Sequence, residues 1–305
     1  MLLYKSEYAP RPGGLLYPAM RGTPKFYNTF GFEATRTLIN PHRRRNDSPD
    51  SVLRAPRIAL QFLNPIAALE SAMTATEEAQ FRVGLLVPSS NATMERDFHR
   101  NLPENVYVAT SRMFLDETTK KAEIRMLEES LPEANRMLKT VEPHFCVFGC
   151  TSGGALFGQA HDQKIKARIE EETGAETATI LSSLAREFAE MNAKKLVVLT
   201  PYVDELNGPI RASLEEDGME VLSIDGMGIT DNIEIGNTRA DKILGFAEEK
   251  LSHKNLKKAD CLFVSCTNLP AVDALPEIEA RYPDLPVMTS NLAALLAVRR
   301  KLNEE

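Results

Sequence analysis

Two cysteines, Cys150 and Cys266, stand in matching contexts. Each closes a short apolar run and is followed by threonine: Val147-Phe-Gly-Cys150-Thr151 in one case, Phe263-Val-Ser-Cys266-Thr267 in the other. A thiol at a strand end can act as a nucleophile or as a proton carrier. Cys150 opens the run Cys-Thr-Ser-Gly-Gly, residues 150–154. If that run begins a helix, its backbone N–H groups can bind an anion and draw the thiol below its usual pKa of ~8.5. Cys266 opens Cys-Thr-Asn-Leu-Pro, residues 266–270, with the same logic. Cys146 and Cys261 lie inside the apolar runs without polar followers and read as small buried hydrophobes. A free cysteine is often no more than that; the duplicated context is what argues otherwise for Cys150 and Cys266.

The other groups near strand ends are neutral donors. Pro88-Ser-Ser-Asn91 follows the first apolar run, and Asn91 is either an amide donor to a carboxylate or a helix cap, a position Asn favours. In the turn Thr200-Pro-Tyr202-Val-Asp204-Glu-Leu-Asn207, Tyr202 offers a phenol. Asp204 reads as a helix cap, and Asn207 as a helical residue supporting the cleft from behind. Asn232, in Thr230-Asp-Asn232-Ile, is a further loop amide. The five histidines, at 42, 99, 144, 161 and 253, form no ligand-spaced cluster with the cysteines, so neither a metal site nor a Cys-His pair is expected. His144 reads as the residue before a strand and His161 as one opening a helix. No Gly-rich nucleotide fingerprint follows a strand, and no cofactor is expected. Two thiols among Asn, Tyr, Thr, Ser and backbone donors suit a small dicarboxylate.

The elements that must hold these groups alternate in type. Strands are expected at Val83–Val87, Val106–Ala109, Phe145–Phe148, Leu196–Leu199, Glu220–Ile224, Cys261–Val264 and Pro286–Met288. Between several of them lie helical stretches of ~10–20 residues. One starts near Lys120, with Ile124, Leu127, Leu131, Ala134 and Leu138 at helical spacing and Pro132 as the expected kink. Such alternation implies βαβ units and parallel sheets. The pattern is also duplicated. Gly84-Leu-Leu-Val-Pro88 is followed 62 residues later by Cys150, and Val197-Val-Leu-Thr-Pro201 is followed 65 residues later by Cys266. The expected fold is therefore α/β, with two similar doubly wound parallel-sheet lobes related by a pseudo-two-fold axis. Residues 81–178 with a C-terminal helix at 290–302 would form the first lobe, and residues 179–289 the second. Ligands bind beyond the carboxyl ends of such strands, so both cysteines would face one cleft between the lobes.

The 305 residues, 43% of them hydrophobic, suffice for real cores. No apolar stretch is long enough for a membrane span. The net charge of −7 gives nucleic-acid binding no electrostatic footprint. Four cysteines in apolar runs point to free thiols in a reducing cytoplasm. Residues 1–80 differ from the rest. They hold eight of the 18 prolines, the run Arg43-Arg44-Arg45, and ten Lys/Arg against seven Asp/Glu, a net of +3 that leaves −10 on the remainder. They are expected to be a poorly ordered extension, either a targeting segment or an over-extended reading frame whose true start is Met73.

The motifs Pro88-Ser-Ser-Asn91, Cys150-Thr-Ser-Gly153, Thr200-Pro-Tyr202-Val-Asp-Glu-Leu-Asn207, Asp231-Asn232 and Ser265-Cys266-Thr-Asn268 occur in order across residues 81–302. With them the chain resembles the maleate cis-trans isomerases of the aspartate/glutamate racemase superfamily. The amino-acid racemases of that superfamily typically carry Asn-Thr after the first cysteine, where this chain has Thr151-Ser152. The arylmalonate decarboxylases lack the first cysteine, present here as Cys150. Residues 1–80 have no counterpart in the isomerases.

The resemblance implies a mechanism. Cys150 as thiolate adds to C2 of maleate to give a succinyl-cysteine, the former double bond rotates, and Cys266 delivers and later removes a proton. Asn91, Tyr202 and Asn232, with backbone N–H groups near Thr151-Ser152 and Thr267-Asn268, would hold the two carboxylates. Fumarate leaves, no cofactor is needed, and by family analogy the protein is a homodimer. Two other activities fit the bare residues. Two thiols on opposite faces of a carbon would also serve an aspartate/glutamate-type racemase, which would exchange the α-hydrogen of its substrate in deuterated water. The same scaffold without catalysis would be a carboxylate-binding protein.

Overall fold

In the computed structural model, residues 80–251 and 253–304 are described, and the expectations for residues 1–79 lie outside them. Eight strands form two four-stranded parallel sheets. The first contains β1 (Phe81–Pro88), β2 (Val106–Met113), β3 (Phe145–Phe148) and β4 (Glu176–Thr179), in the order β2-β1-β3-β4. The second contains β5 (Lys195–Thr200), β6 (Glu220–Gly226), β7 (Cys261–Val264) and β8 (Val287–Thr289), in the order β6-β5-β7-β8. The second order repeats the first, which is the two-lobed duplication read from the sequence.

The central strands of each sheet are buried on both faces. That is why they read as unbroken apolar runs, as in β3 and β7, where every residue is buried. Seven strands match the seven expected ones, some with longer ends. β4 was not anticipated: Glu176-Thr-Ala-Thr179 is short, of modest hydrophobicity and at a sheet edge. One apolar core runs through both lobes and includes Val83, Leu85, Phe188, Val197, Phe263 and Val298. A second cluster, with Leu86, Met126, Leu131 and Phe148, covers the other face of the first sheet.

The helical stretch after Lys120 is less regular than expected. Helix Lys120–Arg125 passes through a wider π turn, Met126–Ser130, into helix Leu131–Lys139. Pro132 falls just after the π turn, so the irregularity in the helix lies beside the proline expected to disturb it. The C-terminal helix Ser290–Glu304 packs on helix Ile180–Glu190 and touches β3, β4 and β8. Its Arg300 pairs with Glu187 and Glu190. Among the described residues no helix is long and apolar enough to cross a membrane.

Candidate active site

The carboxyl ends of the four central strands converge. β1 leads into Ser89-Ser-Asn91, β3 into Gly149-Cys150, β5 into Pro201-Tyr202, and β7 into Ser265-Cys266. Eight of the nine anticipated residues line one small cavity: Asn91, Cys150, Ser152, Tyr202, Asn232, Cys266, Thr267 and Asn268. Pro88, Ser90, Leu115 and Thr118 complete the wall. The ninth, Thr151, is buried, and its hydroxyl donates to Ser290 Oγ (2.9 Å) instead. The cavity measures about 20 Å³, room for a water or two, so a four-carbon diacid enters only when the wall yields.

Cys150 caps the short helix Thr151–Ala155, and its sulfur accepts the Gly153 N–H at 3.4 Å. Gly149 lets this turn sit close to β1. A Cβ there would meet the Leu86 carbonyl oxygen at 3.0 Å and Met94 Sδ at 2.5 Å. The helix N-terminus expected to depress the thiol pKa is present, yet the net shift is upward. Burial dominates, and the charge of nearby Glu123 adds to it, while the Gly153 N–H opposes. A single helical turn is too small a dipole to offset full burial.

The two thiols are not equivalent. Cys266 has φ +107°, a strained conformation for a residue with a Cβ and one that concentrates at functional sites. Its N–H donates to Ser290 Oγ (3.1 Å), and its sulfur accepts the Asn268 N–H (3.3 Å). Burial also raises the Cys266 pKa, but the Tyr202 hydroxyl and the Asn268 and Leu269 N–H groups bond the sulfur and counter it. Tyr202 thus addresses Cys266, not only a ligand oxygen, and burial drives its own pKa well up.

The amides divide their work. Asn91 both caps and lines the cavity: Oδ1 accepts the N–H groups of Thr93 and Met94 (3.0 Å each), and Nδ2 donates to Thr267 Oγ1 (2.9 Å). Thr267 Oγ1 in turn donates to the Gly149 carbonyl (3.0 Å), stapling the lobes beside Cys150. Asn268 is a wedge between lobes, accepting from Ala92 N–H and donating to the Asn232 carbonyl. Asn232 is not in a loop; it opens the one-turn helix Asn232–Gly236. Its Oδ1 accepts from Thr118 Oγ1, and its Nδ2 is buried without a partner, a donor free for a ligand. Asn207 is helical, as expected, and accepts from Thr200 Oγ1 (2.6 Å), whereas Val203, not Asp204, precedes that helix, Asp204–Glu216, as its cap. Cys146 and Cys261 are buried inside their strands, with pKa values pushed up to about 11 and about 12 by burial.

Three residues of the site escaped the sequence reading: Leu115 and Thr118 of the wall, and Glu123, which bonds Ser152. Glu123 has no exposed surface, and Ser152 Oγ donates to its Oε1. Burial pushes its pKa up to about 7. A faint signal existed, because Glu123 lies four residues before Leu127 and so shares the apolar face of its helix.

Comparison with known proteins agrees with this architecture. Residues 83–305 match the family model described as arylmalonate decarboxylase. The chain belongs to that family. It is 24% identical over 237 residues to maleate isomerase of Geobacillus stearothermophilus, covering 73% of this chain and 92% of the relative. It is 22% identical over 211 residues to arylmalonate decarboxylase of Bordetella bronchiseptica, covering 69% and 86%. Among solved structures, a mutant of the Nocardia farcinica maleate cis-trans isomerase with a covalently bound succinylcysteine intermediate superposes with a TM-score of 0.67 at 20% identity. That match covers 73% of this chain and 93% of the other. At that identity the likeness establishes the two-lobed fold, while the relatives are enzymes of both activities.

Proposed function

We propose that this chain isomerises maleate, or a closely related cis-dicarboxylate, to the trans isomer without a cofactor. The observation that carries the reading is the meeting of Cys150 and Cys266 in one small cavity whose other polar side chains are neutral. Cys150 thiolate adds to C2 and converts a locked double bond into a rotatable single bond. Cys266, held by Tyr202 and the Asn268 N–H, protonates the adjacent carbon and later removes that proton. Asn232 Nδ2, buried and unpartnered, supplies a hydrogen bond to a substrate carboxylate as charge develops on it. The succinylcysteine in the Nocardia farcinica enzyme supports such an adduct here. The presence of Cys150 favours isomerisation over decarboxylation. The test is proton NMR of the purified protein with maleate, whose vinyl signal is distinct from that of fumarate. Conversion by the wild type and none by Cys150→Ser is expected. Turnover by Cys150→Ser, or release of carbon dioxide in place of fumarate, would sink the assignment.

A further inference from the structure

Cys150 must become a thiolate in a place that opposes it. The cavity wall contains no Lys, Arg or His among the described residues, and burial raises the thiol pKa. A lone thiolate there, beside a dianionic substrate and an ionised Glu123, would be an expensive accumulation of charge. The hydrogen-bond geometry offers another route. Ser152 Oγ has a single proton, and it is directed to Glu123 Oε1. Toward Cys150, whose sulfur lies 3.9 Å away, Ser152 therefore presents a lone pair. The contacts run Cys150 S–H to Ser152 O–H to Glu123 carboxylate, in an order that moves a proton away from sulfur.

We propose that Glu123 is the proton acceptor for Cys150, acting through the Ser152 hydroxyl, and so positions and arms the nucleophile of the isomerisation proposed above. In the step, the Cys150 S–H bond breaks and its proton passes to Ser152 Oγ, while the Ser152 proton passes to Glu123 Oε1. The result is a thiolate and a neutral carboxylic acid, so one negative charge is relocated and none is created. The sulfur electron pair then forms the S–C bond, and the proton held on Glu123 returns by the same path after the bond breaks. Several features place Glu123 for this work. It is fully buried, its Oε2 has no partner, and its pKa of about 7 suits proton exchange near neutrality. Glu205, on helix Asp204–Glu216, faces it and helps keep that value high. Cys150, Cys266 and Tyr202 all feel its charge.

A relay and a mere neighbouring charge predict opposite signs. An ionised Glu123 raises the thiol pKa by repulsion, so a neighbour role makes Glu123→Gln more reactive. A relay makes it less reactive. The experiment is the rate of iodoacetamide alkylation at Cys150 in the full chain, read by peptide mass spectrometry between about pH 6 and pH 9. It does not depend on the isomerase activity, so its failure and that of the proposed reaction are separable. The wild-type rate should rise through about pH 7 with ionisation of Glu123. In Glu123→Gln, which keeps an oxygen for the Ser152 hydroxyl, the rate near neutral pH should fall by about 100-fold or more. Ser152→Ala should show the same loss, and Glu123→Asp part of it, with melting temperatures reporting that each variant is folded. Three outcomes overturn the proposal: an equal or faster rate in Glu123→Gln, including no reaction in either protein; a wild-type profile in Ser152→Ala; or a change in melting temperature with no change in the pH profile.

Discussion

The Thr267 hydroxyl joins the lobes beside Cys150, and its removal has a calculable cost. Thr267→Val preserves shape and removes only the polar atom. Two partners are then orphaned: Asn91 Nδ2, which now donates to Thr267 at 2.9 Å, and the Gly149 carbonyl, which now accepts from it at 3.0 Å. Asn91 is 1% and Thr267 3% exposed and Gly149 is buried, so replacement falls to a water held in the adjoining cavity, and that sets the lower end of the cost. Asn91 cannot swing away, because its Oδ1 is held by two backbone N–H groups. At ~1–3 kcal/mol for each buried orphan, the loss is ~2–6 kcal/mol. For a described domain of this size that is a fall in melting temperature of roughly 5–20 °C. Thr267→Ser is the control: it keeps the hydroxyl and loses one methyl, which costs about 1 kcal/mol. Urea denaturation of the three proteins reads both numbers. A Val variant within ~0.5 kcal/mol of wild type, or a Ser variant as unstable as Val, would refute the staple.

Further outcomes follow from the same geometry. Cys266→Ser should let a maleate adduct accumulate on Cys150, visible as an added mass on that peptide, while turnover stops; normal turnover would contradict the two-thiol scheme. Asn232→Ala removes the unpartnered donor and should lower kcat/KM for maleate by about 10–100-fold, the worth of a hydrogen bond to a charged group; it also orphans the buried Thr118 hydroxyl, so a stability loss of about 1–3 kcal/mol should accompany it. Asp162 is buried, and burial raises its carboxyl pKa from 3.8 to about 7 while its Oδ2 accepts from Thr179. The folded state therefore holds a proton that the unfolded chain releases near pH ~4. The contribution is full below that value and lost as pH rises to about 7, by at most ~4 kcal/mol. Asp162→Asn should flatten the dependence of the urea midpoint between about pH 4 and pH 7, and an unchanged slope would assign it elsewhere.

Much of this protein is written locally. Parallel strands buried on both faces need continuous apolar residues, so β1, β3, β5 and β7 and the turns after them are visible as runs ending in Pro88, Cys150, Pro201 and Cys266. Because those turns repeat, the two lobes and the pairing of the cysteines can be read without coordinates. The edge strand β4 is not visible in this way, since it buries less and Glu176-Thr-Ala-Thr179 carries little apolar pattern. The unequal state of the two thiols is also absent from the pattern. It arises from the positive φ of Cys266 and from which donors reach each sulfur, Tyr202 and Asn268 in one case, Gly153 in the other. Glu123 and Thr118 enter the site from the segment after β2, far from any strand end bearing a cysteine. A glutamate on a helix reads as a solvated charge until packing buries it. Local composition can specify which strands exist; the pKa of a buried group depends on what the folded chain places around it, and that is set by contacts between residues distant in sequence.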